Sequence, residues 1–184
     1  MIFVETKLPG AFIVDLETVE DERGFFSRTW CRQEFAAHGL ASILAQCSIS
    51  FNHKSGTLRG MHYQIAPFQE AKLVRCTAGA IYDVILDLRR NSSSFGDWLA
   101  VELTSRNHRM IYVPEGFAHG FQTLEKNTEV FYQISEIYAP QFARGIRWDD
   151  PKFRIEWPAA DRTISRRDAS YADFELDPAS HDEL

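Results

Sequence analysis

Within fourteen residues, Arg59 to Lys72, the chain gathers Arg59, His62, Tyr63 and Lys72, its densest set of reactive side chains. An imidazole, with an ordinary pKa of about 6.5, is suited to act as a base near neutral pH. The cations beside it suit an anionic ligand or a developing negative charge. Gly56 and Gly60 in the same stretch admit close backbone approach to a ligand. Taken alone, a single histidine in such a run is more often structural. His119 stands after a Pro-x-Gly turn in Val113–Phe121, VPEGFAHGF. Tyr132 alternates with Val130 and Ile134. Its phenol, with an ordinary pKa of about 10, stays protonated and can donate, although alone it reads as a core tyrosine bonded locally. Ser165-Arg166-Arg167-Asp168 adds two guanidiniums and a carboxylate, by default a solvated charge run.

The elements that must position these groups are mostly strands. From Ile43 to Ser135, short runs of β-type composition alternate with Gly, Pro, Asn and Ser, the pattern of an all-β sandwich or barrel. Strands are predicted at Ser48–Asn52, Lys72–Thr77, Ala80–Leu88, Trp98–Leu103, Met110–Val113, Ala118–Thr123 and Thr128–Ser135, with an apolar N-terminal strand at Ala11–Leu16. In IYDVILDL, Tyr82, Val84, Leu86 and Leu88 share one pleat face and Ile81, Asp83, Ile85 and Asp87 the other, so both faces are largely apolar and the strand is interior. One short helix is predicted at Trp30–His38, stopped by Gly39. The last forty or so residues, with Pro140, Pro151, Pro158 and Pro178 among aromatics, suggest an irregular segment wrapped on the β core.

The 184 residues suffice for one domain, residues 1–184. Net charge is −6, which argues against a nucleic-acid or acidic-membrane binder, so any anionic ligand must meet a local cluster of cations. No basic leader followed by an apolar run opens the sequence, and no membrane-spanning stretch is found, so a soluble, cytoplasmic protein is expected. On the same ground the closing His181-Asp182-Glu183-Leu184 is expected to be without a retention role. Cys31, Cys47 and Cys76 form no CxxC pair and are expected to be small buried residues.

VPEGFAHGF is similar to the second half-motif of cupin barrels. Together, DERGFF (Asp21–Phe26), TLRGMHYQ (Thr57–Gln64), AKLVRC (Ala71–Cys76), DVILDLRR (Asp83–Arg90), VPEGFAHGF, Tyr132 and GIRWDDP (Gly145–Pro151) closely resemble the dTDP-4-dehydrorhamnose 3,5-epimerase family, in order and over nearly the whole chain. The resemblance implies a cupin jelly roll, a homodimer whose N-terminal segments reach across to the partner, a nucleotide-diphosphate sugar as substrate, and neither metal nor other cofactor. It implies His62 as the base, Asp168 as the aspartate that orients it and Tyr132 as the proton donor. It gives Arg59, Lys72 and His119 to the diphosphate and sugar or to the enolate, and Tyr138 to stacking on the thymine. It places Arg167 beside the dyad and brings Arg23 to the substrate from the partner subunit.

Epimerisation beside a 4-keto group needs a base for the α-proton, a donor or cation at the enolate oxygen, and an acid on the other face, and this set supplies all three. Arg28, Cys47-Ser48-Ile49 and Ala143 depart from the family's usual glutamate, Gln-Asp-Asn and glutamate, and bear on which nucleotide is bound. A single-centre epimerase, a 3,4-ketoisomerase and a metal-dependent cupin are the alternative readings.

Overall fold

A computed structural model describes residues 1–175, so His181–Leu184 lies outside the described residues. The N-terminal part comprises β1 (Ile2–Glu5), β2 (Phe12–Asp15), β3 (Val19–Asp21), β4 (Gly24–Phe26), α1 (Arg32–Ala37) and β5 (Gln46–Asn52). The middle runs through β6 (Thr57–Gln64), β7 (Lys72–Ala78), β8 (Ala80–Asp87), β9 (Trp98–Thr104), β10 (Met110–Val113), β11 (Phe117–Thr123) and β12 (Thr128–Ile134). The last part holds β13 (Ala143–Gly145), β14 (Thr163–Ile164) and α2 (Arg166–Ala169). One sheet has the order β1-β2-β10-β7-β12-β5 and the other β13-β6-β11-β8-β9, with β14 beside β6 and a separate β3-β4 hairpin.

Three apolar layers hold the sheets. Val74, Cys76, Ile81, Ile85, Ile111, Phe121 and Val130 fill the space between them. Val84, Leu86 and Leu88, on the other side of β8, are covered by Ile146, Phe153, Ile155 and Trp157 of the C-terminal segment. That is why β8 is apolar on both faces, and why the proline-rich tail is wrapped on the sheet. On the far side of the first sheet, Phe35 and Leu40 cover Leu73, Met110 and Tyr112. Phe35 belongs to α1, which ends as expected at Gly39: the Leu40 N–H donates to Phe35 O at 2.9 Å and the Gly39 N–H to Ala36 O at 3.0 Å, a Schellman ending.

The expected strands all form, and β1, β3, β4, β13 and β14 form in addition, as does the longest unexpected strand, β6. Its alternation is broken: Leu58 and Met61 pack outward with the C-terminal layer, whereas Arg59 and His62 line an inward cleft. The break is a bulge. His119 pairs with His62 but Phe121 pairs with Arg59, so β6 carries one extra residue between these pairs. Gly60 sits there at φ 126°, and a Cβ on it would lie 2.5 Å from Gly120 Cα and 2.9 Å from His119 O. The glycines of this run thus admit neighbouring protein backbone, not the ligand expected from sequence; a Cβ on Gly56 would collide with Asp161 O.

Among the cysteines only Cys76 is buried; Cys31 is half-buried and Cys47 exposed, which corrects the expectation of three interior thiols. Cys47 is on the outward side of β5 because Gln46, Ser48 and Ser50 take the cleft side.

Gly60→Ala should therefore cost about 2–4 kcal/mol through positive-φ strain and overpacking. Urea denaturation should show a lowered midpoint at unchanged slope, and the residual fold should lose activity.

Candidate active site

The cleft measures about 800 Å³ and opens between the two sheets. From β6 and β11 come Arg59, His62 and His119; from β5, β7 and β12 come Gln46, Ser48, Ser50, Lys72 and Tyr132. The tail contributes Arg167 and Asp168, and Tyr138, Arg144, Gln64 and Glu70 are among the other lining residues.

His62 is centred on this wall. Its Nε2 stands 2.8 Å from Asp168 Oδ1. Burial works against ionisation of Asp168, but the hydrogen bond and charge of His62, with the Gly60 and Ser165 contacts, outweigh it and hold the carboxyl below its usual range. An ionised carboxylate only accepts, so Nε2 carries the proton and donates to it, leaving Nδ1 with its lone pair. Asp168 is only 4% exposed, not part of a solvated charge run. Ser165 caps α2, accepting the Asp168 N–H at 3.0 Å, and thereby fixes where the carboxylate points.

A second imidazole–carboxylate pair stands beside the first. His119 Nε2 is 2.8 Å from Asp83 Oδ2, both groups are buried, and His119 is the cross-strand neighbour of His62. Asp83 Oδ1 has no hydrogen-bond partner. From the opposite wall, the Tyr132 ring meets His119 edge-on, centroids 6.0 Å apart. Burial drives the Tyr132 phenol far above its ordinary pKa, the Asp83 charge adds to this and Arg59 opposes it, so the hydroxyl keeps its proton.

The cations divide into free and committed. Arg59 donates through Nε to Asn52 Oδ1 at 2.8 Å, and Arg144 donates to the Gln141 and Ala143 carbonyls. Arg167 donates through Nε to the Tyr171 hydroxyl at 3.0 Å and bonds the Tyr138 phenol. None of these three has a carboxylate partner among the described residues. Lys72 is instead paired with Glu70 at 2.9 Å, both nearly buried. Gln64 organises that end: its amide donates to Glu70 Oε2, Phe68 O and Ile137 O and accepts from the Ala139 N–H, holding the loop that carries Tyr138.

A family model described as dTDP-4-dehydrorhamnose 3,5-epimerase matches residues 5–175. The dTDP-4-dehydrorhamnose 3,5-epimerase of Methanothermobacter thermautotrophicus is 40% identical over 179 residues, 96% of each chain. The chain belongs to the dTDP-4-dehydrorhamnose 3,5-epimerase family. The solved epimerase of Elizabethkingia anophelis superposes with a TM-score of 0.91 at 35% identity, covering 95% of this chain and 96% of that one. That of Bacillus anthracis, solved with TDP and PPi bound, superposes at 0.90 and 35% identity, covering 94% and 99%. The fold is the cupin jelly roll, and the chain is an isomerase of nucleotide sugars.

Of the residues singled out from sequence, the epimerase fold brings His62, Asp168, Tyr132, Arg59, Lys72, His119, Tyr138 and Arg167 into one cleft. Arg23 is elsewhere, on the exposed β3-β4 hairpin with its guanidinium on Asp21. Arg28 pairs with Glu34 and does not line the cleft. Glu70, Gln64, Arg144, Asp83 and Tyr171 were not assigned roles from sequence. For Asp83 a signal exists: a carboxylate on an apolar pleat face of an interior strand requires a buried partner, which is His119. Among the described residues no group of three His, Cys, Asp or Glu side chains is placed to hold a metal ion, and no helix is long and apolar enough to cross a membrane.

Asp168→Asn removes the charge that accepts the His62 Nε2 proton and holds the ring's tautomer. It should lower kcat on the order of 10²–10⁴-fold in steady-state kinetics. An unchanged kcat would show that Asp168 does not orient the imidazole.

Proposed function

We propose that the cleft inverts C3, C5 or both in a dTDP-linked 4-keto-6-deoxyhexose; inversion at both converts dTDP-4-dehydro-6-deoxy-D-glucose to dTDP-4-dehydro-L-rhamnose. The observation that carries this reading is that the His62–Asp168 pair and the Tyr132 hydroxyl approach one cleft from opposite sheets. In each cycle the C–H bond next to the ketone breaks, its proton goes to His62 Nδ1 and the electron pair becomes an enolate. Lys72 and the His119–Asp83 pair stabilise the enolate oxygen. Tyr132 then donates its hydroxyl proton to the opposite face of the carbon, and solvent restores both groups. A base on one wall and an acid on the other is the arrangement that inversion requires.

Arg59, Arg144 and Arg167 are the uncommitted cations suited to the diphosphate, with Tyr138 stacked on the base. Their local charge answers the need set by an overall −6. The chain acts as a homodimer in this reading, with Arg23 delivered by the partner's hairpin. Exposed Val19, Phe25 and Phe26 on that hairpin, and exposed Ile49 and Phe51 on the outward side of β5, supply apolar surface for the association.

Run in deuterium oxide with the dTDP 4-keto sugar, the wild type should incorporate deuterium at C3, C5 or both. His62→Ala should lose this exchange while still binding the nucleotide sugar, and wild-type exchange in that variant would overturn the base assignment. A 3-keto product by NMR would identify a ketoisomerase.

Arg23→Ala and His62→Ala, each inactive alone, should on mixing recover up to about a quarter of wild-type activity, since half the dimers are mixed and each has one intact site. No recovery after proven subunit exchange would place Arg23 outside the partner's site.

A further inference from the structure

α2 is four residues long and carries both Arg167 and Asp168. A single turn has no stability of its own in water, so its position must be imposed by contacts at its ends. Ser165 fixes the front end. Behind it, Tyr171 makes four separate attachments. Its ring covers Gly145 of β13 so closely that a Cβ there would collide with it, and Gly145 is the register partner of His62. The same ring stands edge-on to the His62 imidazole, with centroids 6.4 Å apart and planes at 75°. Its hydroxyl accepts the Arg167 Nε–H at 3.0 Å. Its carbonyl accepts from Arg147 Nη1 at 3.3 Å, and Arg147 is itself tied to Asp149 and Asp173.

We infer that Tyr171 is a positioning residue with two separable tasks: its ring sets the alignment of the His62–Asp168 pair, and its hydroxyl aims the Arg167 guanidinium into the cleft. The ring task follows from its place between β13 and α2. Asp168 reaches His62 from α2, the imidazole projects from β6, and the ring is wedged against Gly145 of β13, the strand that pairs with β6. A ring that fills this space also blocks rotation of the imidazole towards the tail. The hydroxyl task follows from the second phenol on Arg167. With Tyr138 on one side and Tyr171 on the other, the guanidinium has neutral acceptors and no carboxylate, so it is held in place while its charge remains available.

This rests on His62 being the base, and the experiment separates the two claims. Tyr171→Phe, Tyr171→Ala and Tyr171→Leu are compared with His62→Ala by steady-state kinetics and by thermal melting. Tyr171→Phe keeps the ring, so KM for the nucleotide sugar should rise about fivefold with kcat unchanged. Tyr171→Ala should lower kcat about 10- to 100-fold, because Asp168 no longer holds the imidazole in line. Tyr171→Leu fills the space over Gly145 and should melt like the wild type, yet lacks the flat edge, so it should share the kcat loss. A Tyr171→Leu or Tyr171→Ala enzyme with wild-type kcat overturns the ring task. An unchanged KM in Tyr171→Phe overturns the hydroxyl task. If His62→Ala itself remains active, it is the base assignment that fails.

Discussion

An unbroken β-strand sends residues three apart to opposite faces, so Arg59 and His62 would be separated by the sheet. The extra residue at Gly60 cancels one step of the alternation and puts both on the cleft wall. Only a residue without a side chain fits there, because Gly60 and Gly120 cross nearly in contact. The same crossing brings His62 and His119 side by side, each with its own buried carboxylate. Cation, base and second imidazole therefore depend on one steric condition between two strands, and the opposite sheet needs only regular geometry to present Lys72 and Tyr132.

Charge in the cleft is divided between paired and unpaired groups. The buried carboxylates Asp168 and Asp83 are given to imidazoles, and Glu70 to Lys72. The guanidiniums that line the cleft are instead anchored on neutral oxygens of Asn52, of main-chain carbonyls or of tyrosine phenols. Neutral anchors fix geometry without cancelling charge. In this way a chain with a net charge of −6 keeps a positive entrance for a diphosphate.

Much of this was legible in the sequence. Strong alternation and turn residues located the strands from β7 to β12, and Gly39 marked the end of α1. Gln46, Ser48, Ser50 and Asn52 alternate in the sequence as one polar face; the first three line the cleft and Asn52 anchors Arg59. β6 was not visible as a strand, because its bulge erases the period-two pattern that marks one. Asp168 by itself resembled a solvated residue; its burial depends on Ser165 and on β6, more than a hundred positions earlier. Tyr171 and Glu70 left no local signal, since their roles arise only from chain segments that meet in space.

The span between His62 and Asp168 is 106 residues. His62 is carried by a strand of the barrel, but the carboxylate that holds its ring comes from a one-turn helix that follows a two-residue strand. Those last pieces touch the barrel through few contacts, so they open at a lower free energy than the sheets between which the core lies. An opening confined to α2 would part Asp168 from His62 while both sheets stay paired, so this hydrogen bond is tied to the docking of one helical turn and not to the pairing of the strands.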